Sequence, residues 1–409
     1  MKKIFLLPIF FFTALTTHAQ WDVVTNIARG TPIPSIFCGD NTAIACADSV
    51  VFVSTDNGIS WIQSERIGEA DYISTAVGYE DKIFVGTESR GVYESTIGGK
   101  NWNPLNAGFS GLGSDVIERL EIRGDSLYAG TMGAGVFVLD LNNSSSWAHF
   151  SDGLSFNFSY SIYSLKNING RLFSGAGISA YYYINEKNSS YWDEYKLADF
   201  NSMVIYDFAH YGQYIFMAAS LGIFTSTDQG KTFVFTPHNI GAIDVANIAM
   251  SGPIIYLAFT KGLRTFWFKS DDFGKTINMI EDQPGITVLS IAIIGDKLFA
   301  GRSDGLWFRD LSNTSVNKEP LLRNSILHQN YPNPFNTVTT IEFVIPHFQK
   351  IVVKVYDILG NEVSTLCNGQ LSAGKHEIEF DAKNLSTGVY VYKIITEDYE
   401  EAKKILFIK

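Results

Sequence analysis

The stretch Lys82-Ile83-Phe84-Val85-Gly86, followed after a short turn by Gly91-Val92-Tyr93, decides the fold because its pattern recurs along the chain. The pattern is apolar, aromatic, small, Gly, then a turn, then Gly, apolar and aromatic. Further copies begin at Ser126, Arg171, Tyr214, Ile254 and Lys297, and a degenerate copy begins at Thr42. Each copy has the alternation expected of two half-buried strands joined by a tight turn.

The spacing of these copies predicts the architecture. One marker per copy gives Val50, Gly91, Gly135, Gly177, Gly222, Gly262 and Gly305. The steps between markers are 41, 44, 42, 45, 40 and 43 residues. A period near 40 to 45 residues with four short strands per unit is typical of β-propeller blades. The chain is therefore predicted to be all-β, with a seven-bladed propeller whose innermost strands are strongly apolar segments such as 116–122.

A second motif joins the third and fourth strands of several units, and reads Ser/Thr-x-Asp-x-Gly-x-Thr/Ser-aromatic. Its clearest copies contain Ser54, Asp56, Gly58 and Trp61; Ser226, Asp228, Gly230 and Phe233; and Ser270, Asp272 and Gly274. The motif resembles the Asp boxes of sialidases, sortilin-type receptors and related propellers. A carboxylate at this position accepts hydrogen bonds from turn N–H groups, and Gly adopts a left-handed conformation. We expect these residues to be structural rather than catalytic.

The two ends of the repeat region predict how the ring closes. The last unit stops after its third strand, at 306–311, without a box. The segment that begins at Trp21 resembles the one that follows a box at Trp102. We therefore expect residues 21–25 to supply the fourth strand of the last blade, which hides both edges of an otherwise open ring.

The start of the chain has the features of a cleavable signal peptide. Lys2 and Lys3 precede an apolar stretch at residues 4–15, and small residues at Thr17 and Ala19 predict cleavage before Gln20. The apolar stretch is shorter than the ~20 residues of a membrane span, which weakens the alternative of a retained anchor.

After the polar stretch 312–317 the repeat stops and a second domain begins. Short strands with period-2 patterning predict a small immunoglobulin-like β-sandwich. Its motifs are Gln329-Asn-Tyr-Pro-Asn-Pro-Phe335, Val355-Tyr-Asp-Ile-Leu-Gly360, Leu385-x-x-Gly388-x-Tyr390 and Lys403-Lys404 near the end. They resemble the C-terminal sorting domain of type IX secretion cargo, with an ordinary adhesive module as the alternative.

The resemblance implies recognition by the type IX secretion machinery, passage across the outer membrane, and a secreted or surface-attached protein. In that family the domain is often removed during secretion. The predicted division is a signal peptide at 1–19, the propeller at 20–315 and the sorting domain at 326–409.

Composition argues against several classes of function. The formal charge is −11, and loss of Lys2 and Lys3 with the leader makes it −13. This balance argues against nucleic acid and anionic membranes as partners, since both require clustered Lys and Arg. The three cysteines are too few for a disulfide scaffold. Without His-x-x-x-His or Cys-x-x-Cys spacing, neither a metal nor a cofactor is predicted.

The candidates for catalysis are acids that precede innermost strands, namely Asp71, Asp115, Asp199 and Asp244. We expect them to surround one mouth of the channel, where two carboxylates ~5 to 9 Å apart can hydrolyse a glycoside. The alternative is that they cap the loops before the strands. A sialidase arginine triad is not recognisable among Arg90, Arg123, Arg171 and Arg302.

Two classes of function follow from these observations. No nucleophile, base and orienting group converge in the sequence, so the leading hypothesis is a non-enzymatic propeller that binds an extracellular protein or glycan. The alternative is a glycoside hydrolase or lyase that uses the channel-mouth acids. The aromatic residues of the fourth unit favour binding, since rings that stay exposed can stack on sugars; they are Phe156, Phe158, Tyr160, Tyr181, Tyr182, Tyr183, Tyr191, Trp192 and Tyr195.

Overall fold

The fold consists of β-strands. The computed structural model describes residues 21–27, 29–39, 42–68, 72–154, 161–176, 180–197, 200, 202–311, 327, 329–345, 349–358, 360–371, 374–396 and 400–409. These residues form strands and turns without an α-helix. Within these ranges there is accordingly no helical segment of the length and apolarity that crossing a membrane requires.

Seven four-stranded antiparallel sheets follow one another between residues 22 and 310, which confirms the predicted repeat. The innermost strands are β2 (Ile36–Cys38), β6 (Ile73–Tyr79), β10 (Ile117–Arg123), β14 (Ile162–Ile168), β18 (Ile205–Tyr211), β22 (Val245–Ser251) and β26 (Val288–Ile294). The second strands are β3 (Ala43–Ala47), β7 (Lys82–Thr87), β11 (Ser126–Thr131), β15 (Arg171–Ala176), β19 (Tyr214–Ala219), β23 (Ile254–Lys261) and β27 (Lys297–Arg302). Each innermost strand neighbours that of the next blade, and β26 neighbours β2, so the ring is closed.

The outer half of each blade is built from shorter strands. The third strands are β4 (Val50–Ser54), β8 (Val92–Thr96), β12 (Val136–Asp140), β16 (Tyr181–Asn185), β20 (Gly222–Ser226), β24 (Arg264–Ser270) and β28 (Gly305–Asp310). The fourth strands are β5 (Ile62–Gln63), β9 (Asn103–Pro104), β13 (Ala148–His149), β17 (Trp192–Lys196), β21 (Val234–Pro237) and β25 (Asn278–Pro284). The fourth strand of the last blade is β1 (Asp22–Val23), which pairs with β28 as Asp22↔Phe308 and Val23↔Trp307. The predicted closure is confirmed, over a shorter strand than predicted.

The small residue of the repeat is required where adjacent blades meet. A Cβ on Gly86 would lie 2.4 Å from Cγ2 of Ile117, in the next blade. A Cβ on Gly130 would lie 2.6 Å from the equivalent atom of Ile162. Real Cβ atoms do not approach other atoms this closely, so glycine at these positions lets the next innermost strand pack against the second strand.

The C-terminal region forms a sandwich of two sheets. Its strands are β29 (Val338–Ile345), β30 (Gln349–Tyr356), β31 (Glu362–Leu371), β32 (Gly374–Asp381), β33 (Gly388–Ile395) and β34 (Glu400–Phe407). One sheet pairs β29 with β32, and the other has the order β31-β30-β33-β34. Phe335, Phe343, Tyr392 and Phe407 lie in the core that these strands enclose. The sandwich was predicted, but β31 was not recognised as a strand in the sequence.

Candidate functional site

The seven innermost strands surround a central channel with a cavity of about 410 Å³. Residues from all seven strands or their starts line this cavity. Because the innermost strand of each blade has no partner on its channel side, its polar side chains there meet either water, the neighbouring blade or a bound molecule. The channel is therefore the candidate site.

A ring of seven polar residues, which we call the polar ring, lines the cavity with one residue per blade. Each lies eleven positions before the small residue of the second strand of its blade. In five blades the polar residue is paired with that Gly or Ala on the neighbouring strand, directly after a β-bulge. The members are Ser35, Thr75, Arg119, Ser164, Asp207, Asn247 and Ser290. This regular offset is a sequence signal that could have located the ring.

Several members of the polar ring connect one blade to the next. The Ser164 hydroxyl donates to the Ile205 carbonyl at 3.1 Å, and the Ser290 hydroxyl donates to the Ile33 carbonyl at 3.0 Å. Asp207 Oδ2 accepts from the Ile248 amide at 3.2 Å, and its Oδ1 accepts from the adjacent Phe208 amide at 2.8 Å. These three side chains thus satisfy backbone groups that face the channel.

Asn247 differs from these three members. It is 9% exposed, and its Nδ2 has no hydrogen-bond partner among the residues that the structure describes. The strand that carries it, β22, pairs with β23 without the bulge found in the corresponding strands of five other blades. Asn247 is also among the residues that line the channel.

Charged residues lie beside the polar ring. Lys166 Nζ is 3.8 Å from Glu121 Oε2. The Lys166 side chain keeps 45% of its area accessible and that of Glu121 keeps 16%, although protein surrounds both. The accessible area therefore faces the channel. Arg119, His210 and Asp207 are further lining residues that carry or can acquire a charge.

The electrostatics of the channel reflect burial. Burial raises the pKa of Glu121 against the attraction of Lys166, and it raises the pKa of Asp207 against Lys166 and Arg119. The charge of Glu121 raises the pKa of Lys166, so the ammonium stays protonated. Burial lowers the pKa of His210, with Lys166 acting in the same direction, which favours the neutral imidazole.

Of the acids singled out in the sequence, Asp115 and Asp244 are described, and neither is among the residues that line the cavity. Asp71 and Asp199 fall outside the described residues. Asp115 is exposed just before β10, and its carbonyl accepts from the Gly91 amide at 2.8 Å. The Asp244 carboxylate accepts from the Gly262 amide at 2.6 Å, which is the geometry of a loop cap. The carboxylates that line the cavity are Glu121 and Asp207, and sequence reasoning missed both.

The Asp boxes form turns at the outer part of the blades. Asp56 accepts from the Ser60 amide at 2.9 Å and from the Ser54 hydroxyl at 2.8 Å, and Gly58 N donates to Ser54 Oγ at 2.9 Å. A Cβ on Gly58 would lie 2.6 Å from the ring of Phe299, in the adjacent blade. The boxes of Ser226, Asp228 and Gly230, and of Ser270, Asp272 and Gly274, repeat the same hydrogen bonds.

Box aromatics pack between blades. Trp61 is 4% exposed and lies 5.7 Å from the ring of Phe299. Phe233 lies 5.1 Å from the ring of Tyr182 in the preceding blade. These ring contacts join neighbouring sheets, and the box carboxylates are not among the residues that line the channel.

The aromatic residues of the fourth unit are mainly structural. Tyr182, Tyr183 and Trp192 are at most 2% exposed, whereas Tyr191 is 56% exposed. Tyr195 stacks on Tyr182 with ring centroids 5.2 Å apart, and Tyr181 is partly buried. The remaining three, Phe156, Phe158 and Tyr160, lie outside the described residues.

Metal binding has no assembled site in the described part of the chain. No three His, Cys, Asp or Glu side chains there are close enough to hold an ion. The cysteines Cys38, Cys46 and Cys367 are not joined by a disulfide.

The predicted sorting motifs are spread over the second domain. Tyr390 is 8% exposed and donates to the Ser386 carbonyl at 2.8 Å, and Leu385 packs against the core. Gly388 begins β33. Lys403 Nζ lies 3.2 Å from Glu401, and Lys404 is exposed. Leu385, Gly388 and Tyr390 thus belong to the framework, whereas Lys404 presents a positive charge at the surface.

Comparison with known families assigns the second domain. Residues 329–409 match the family described as "Secretion system C-terminal sorting domain". The sorting domain predicted from the sequence is confirmed. A sorting domain of this type implies contact with the type IX secretion machinery and a secreted or outer-membrane surface location. A search of curated proteins finds no match to the chain.

Comparison with solved structures concerns the propeller. YCF48 from Cyanidioschyzon merolae is 16% identical with a TM-score of 0.57, over 72% of this chain and 99% of that chain. A structure of YCF48 bound to D1 peptide is 14% identical with a TM-score of 0.54, over 74% and 99%. The extracellular domain of a hybrid two-component system from B. thetaiotaomicron is 11% identical with a TM-score of 0.54, over 93% and 57%. These likenesses show the fold alone, and with the sorting domain they describe an exported β-propeller protein.

Proposed function

We propose that this exported propeller is a non-enzymatic binding protein that receives part of an extracellular protein or glycan in its central channel. The observation that carries the proposal is the Asn247 amide, which is nine-tenths buried, lines the cavity and has no partner for Nδ2 among the described residues. A buried donor without a partner costs about 1–3 kcal/mol. A ligand oxygen that accepts from Asn247 removes that cost when it binds.

The hydrogen bonds of the channel carboxylates support binding over catalysis. Asp207 already accepts a backbone N–H on each of its two oxygens. Glu121 has Lys166 as its cationic partner. A general base or nucleophile needs an unengaged lone pair aimed at the reacting atom. Each Asp207 oxygen already accepts a backbone N–H and Glu121 is paired with a cation, so the lone pairs that remain suit hydrogen bonding to a ligand better than catalysis.

The setting of the protein is consistent with a binding role. The sorting domain directs the propeller out of the cell, where ligands of other cells or of the medium are met. YCF48, which has the same fold, has been solved bound to D1 peptide. A single propeller can therefore serve as a receptor for a macromolecular segment, and we propose that role here.

The proposal is tested by comparing channel and surface variants of the mature chain on glycan and peptide arrays. Asn247→Leu keeps the approximate size of the side chain and removes both donors. Asn103→Leu, on the exposed strand β9, is the matched control. We expect ligands that bind the wild type and the Asn103 variant to lose affinity for the Asn247 variant by about tenfold or more, as loss of one buried hydrogen bond predicts. Equal binding by all three proteins would show that the channel is not the site.

A second candidate, a glycoside hydrolase or lyase, rests on one observation. Burial raises the pKa of two carboxyl groups in the same cavity, Glu121 and Asp207, and a raised pKa suits a general acid. A panel of polysaccharide substrates separates the two candidates. Turnover by the wild type that Glu121→Gln or Asp207→Asn abolishes would establish the enzyme and displace the binding protein.

A further inference from the structure

The channel contains both signs of charge in equal number. Among the described residues that line the cavity, the cations are Arg119 and Lys166 and the anions are Glu121 and Asp207. Lys166 Nζ lies 3.8 Å from Glu121 Oε2, and Lys166 and Arg119 both act on Asp207, so a cation beside each carboxylate opposes the burial that raises its pKa. His210 is held neutral by burial. With both cations and both carboxylates ionised, the formal charge of the cavity wall is zero.

A net charge of zero restricts the ligand. A charged ligand that enters a site enclosed by protein loses its hydration, and a wall without net charge does not compensate for that loss. A neutral ligand enters without this cost. The wall therefore favours uncharged molecules over acids and amines of the same size.

The hydrogen-bonding groups of the wall restrict the ligand further. Asn247 Nδ2 donates to no described residue, and Arg119 has five N–H donors of which one bonds to the Glu118 carbonyl. Glu121 and Asp207 each retain acceptor capacity beyond their present bonds, since a carboxylate has about four lone-pair sites. Hydroxyl groups donate and accept at the same time. A molecule dense in hydroxyl groups can therefore meet both kinds of wall group.

The size of the cavity is consistent with a small ligand unit. About 410 Å³ lies in the lower part of the ~300–1,000 Å³ range of small-molecule pockets. Apolar residues also belong to the lining, and among them Phe37, Met250 and Ile293 are partly exposed. Such surfaces pack against the C–H faces of a sugar ring while the polar groups take its hydroxyls.

We propose that the channel recognises an uncharged, hydroxyl-rich unit of the size of a mono- or disaccharide. Arg119, Lys166 and Asn247 donate to its oxygens, and Glu121 and Asp207 accept from its hydroxyls. The inference rests on the proposed binding function and narrows the ligand to a neutral glycan unit.

The experiment uses probes that share a ring and differ at one charged substituent. The neutral hexoses glucose and galactose are compared with glucuronate, galacturonate, glucosamine and galactosamine. Binding to the mature full chain at pH 7 is measured by saturation-transfer NMR. We expect at least one neutral hexose to bind at least about tenfold more tightly than its charged counterparts, a difference of ~1.4 kcal/mol. We also expect that binding to be lost in Asn247→Leu and kept in Asn103→Leu.

Two charge variants provide a second, independent readout. Glu121→Gln leaves one excess positive charge in the wall, so relative affinity should shift about tenfold toward the uronates. Lys166→Gln leaves one excess negative charge, so affinity should shift toward the amino sugars. The folded state of each variant is checked by thermal unfolding. If the relative affinities for neutral hexoses, uronates and amino sugars are the same in both variants as in the wild type, the inference is contradicted.

The remaining outcomes separate this inference from the proposed function. If a charged hexose binds the wild type more tightly than the neutral ones and loses that binding in Asn247→Leu, the neutral class is wrong and the channel is still the site. If no sugar binds while peptides on the array bind in an Asn247-dependent way, the ligand class is wrong and the binding function stands. If no array ligand depends on Asn247, the proposed function itself fails.

Discussion

Asp228 is held by hydrogen bonds within its own turn. The carboxylate accepts from the Ser226 and Thr232 hydroxyls and from the Lys231 and Thr232 amides. We expect Asp228→Ala to lower the free energy of unfolding by about 1–3 kcal/mol, because these donors lose their acceptor, and to leave ligand binding unchanged. Thermal unfolding measures the effect, and Asp193→Ala on β17 is the exposed control. An unchanged melting temperature with lost binding would reverse the structural interpretation.

The same turn predicts a pH dependence. Burial acts to raise the pKa of Asp228, but hydrogen bonds from Thr232 and Ser226 outweigh it and lower the pKa to about 2. The unfolded value is about 3.9. A lowered folded pKa gives stability that is fully present above about pH 4 and is lost as pH falls toward about 2. The melting temperatures of wild type and Asp228→Ala should therefore converge between pH 4 and pH 2. A constant gap down to pH 2 would contradict this.

The Asp boxes could be recognised in the sequence, whereas the channel residues could not, because box residues are close together in the sequence and channel residues are not. A box is local, because Ser226, Asp228 and Thr232 lie within one turn, and its hydrogen bonds follow from their spacing. The channel residues come from separate blades, and each looks like an isolated polar residue in an apolar strand. Glu121 and Lys166 become partners only when two innermost strands pack side by side.

At the scale of elements, β1 is only two residues long, and its anchor is Trp21. The Trp21 ring lies 4.8 Å from that of Trp267 and under the Arg309 guanidinium at 4.5 Å, and its Nε1 donates to Glu281 at 3.2 Å. Trp21→Ala should destabilise the protein by roughly half of the ~3–5 kcal/mol seen for a fully buried aromatic residue, since Trp21 is half-buried.

The strands that Trp21→Ala destabilises first show whether the substitution opens the ring or loosens packing in general. Hydrogen exchange should accelerate first at the amides of β28, which pairs with β1. Trp102→Ala, beside the fourth strand of another blade, is the control and should leave β28 protected. Uniform acceleration across all blades in the Trp21 variant would argue against a separate closing element.

Strands were predicted where the pattern is regular and missed where it is not. The innermost and second strands combine apolar alternation with a recurring glycine, and the structure has them close to the predicted positions. Strand β31 contains polar residues on both faces, and its pairing with β30 shifts register at two places. A bulged strand loses the period of two on which its recognition depends.

At the scale of the whole molecule, the sorting domain has its own core. We expect a chain that lacks residues 326–409 to keep a folded propeller, because among the described residues that core shares no buried residue with the blade cores. The predicted signal peptide still carries this chain across the inner membrane, but without the sorting domain it should accumulate in the periplasm. Fractionation of cells with type IX machinery measures this, with the full-length chain as control. Efficient appearance in the medium would favour an adhesive module instead.

The hydrogen bond from Trp21 to Glu281 in the preceding blade spans 260 residues, and β1 completes the last blade beside β28, which has a consequence for the order of events during export. A polypeptide that emerges with its amino end first exposes β1 long before β28 exists beside it. Blades in the middle of the chain consist of contiguous segments and can assemble as they appear, whereas the last blade must wait for nearly the whole repeat. Contacts of such high sequence separation form late and slowly. Strand β1 is thus the first strand of the propeller to emerge and among the last to acquire its partner, and the ring can close only after the entire repeat has emerged.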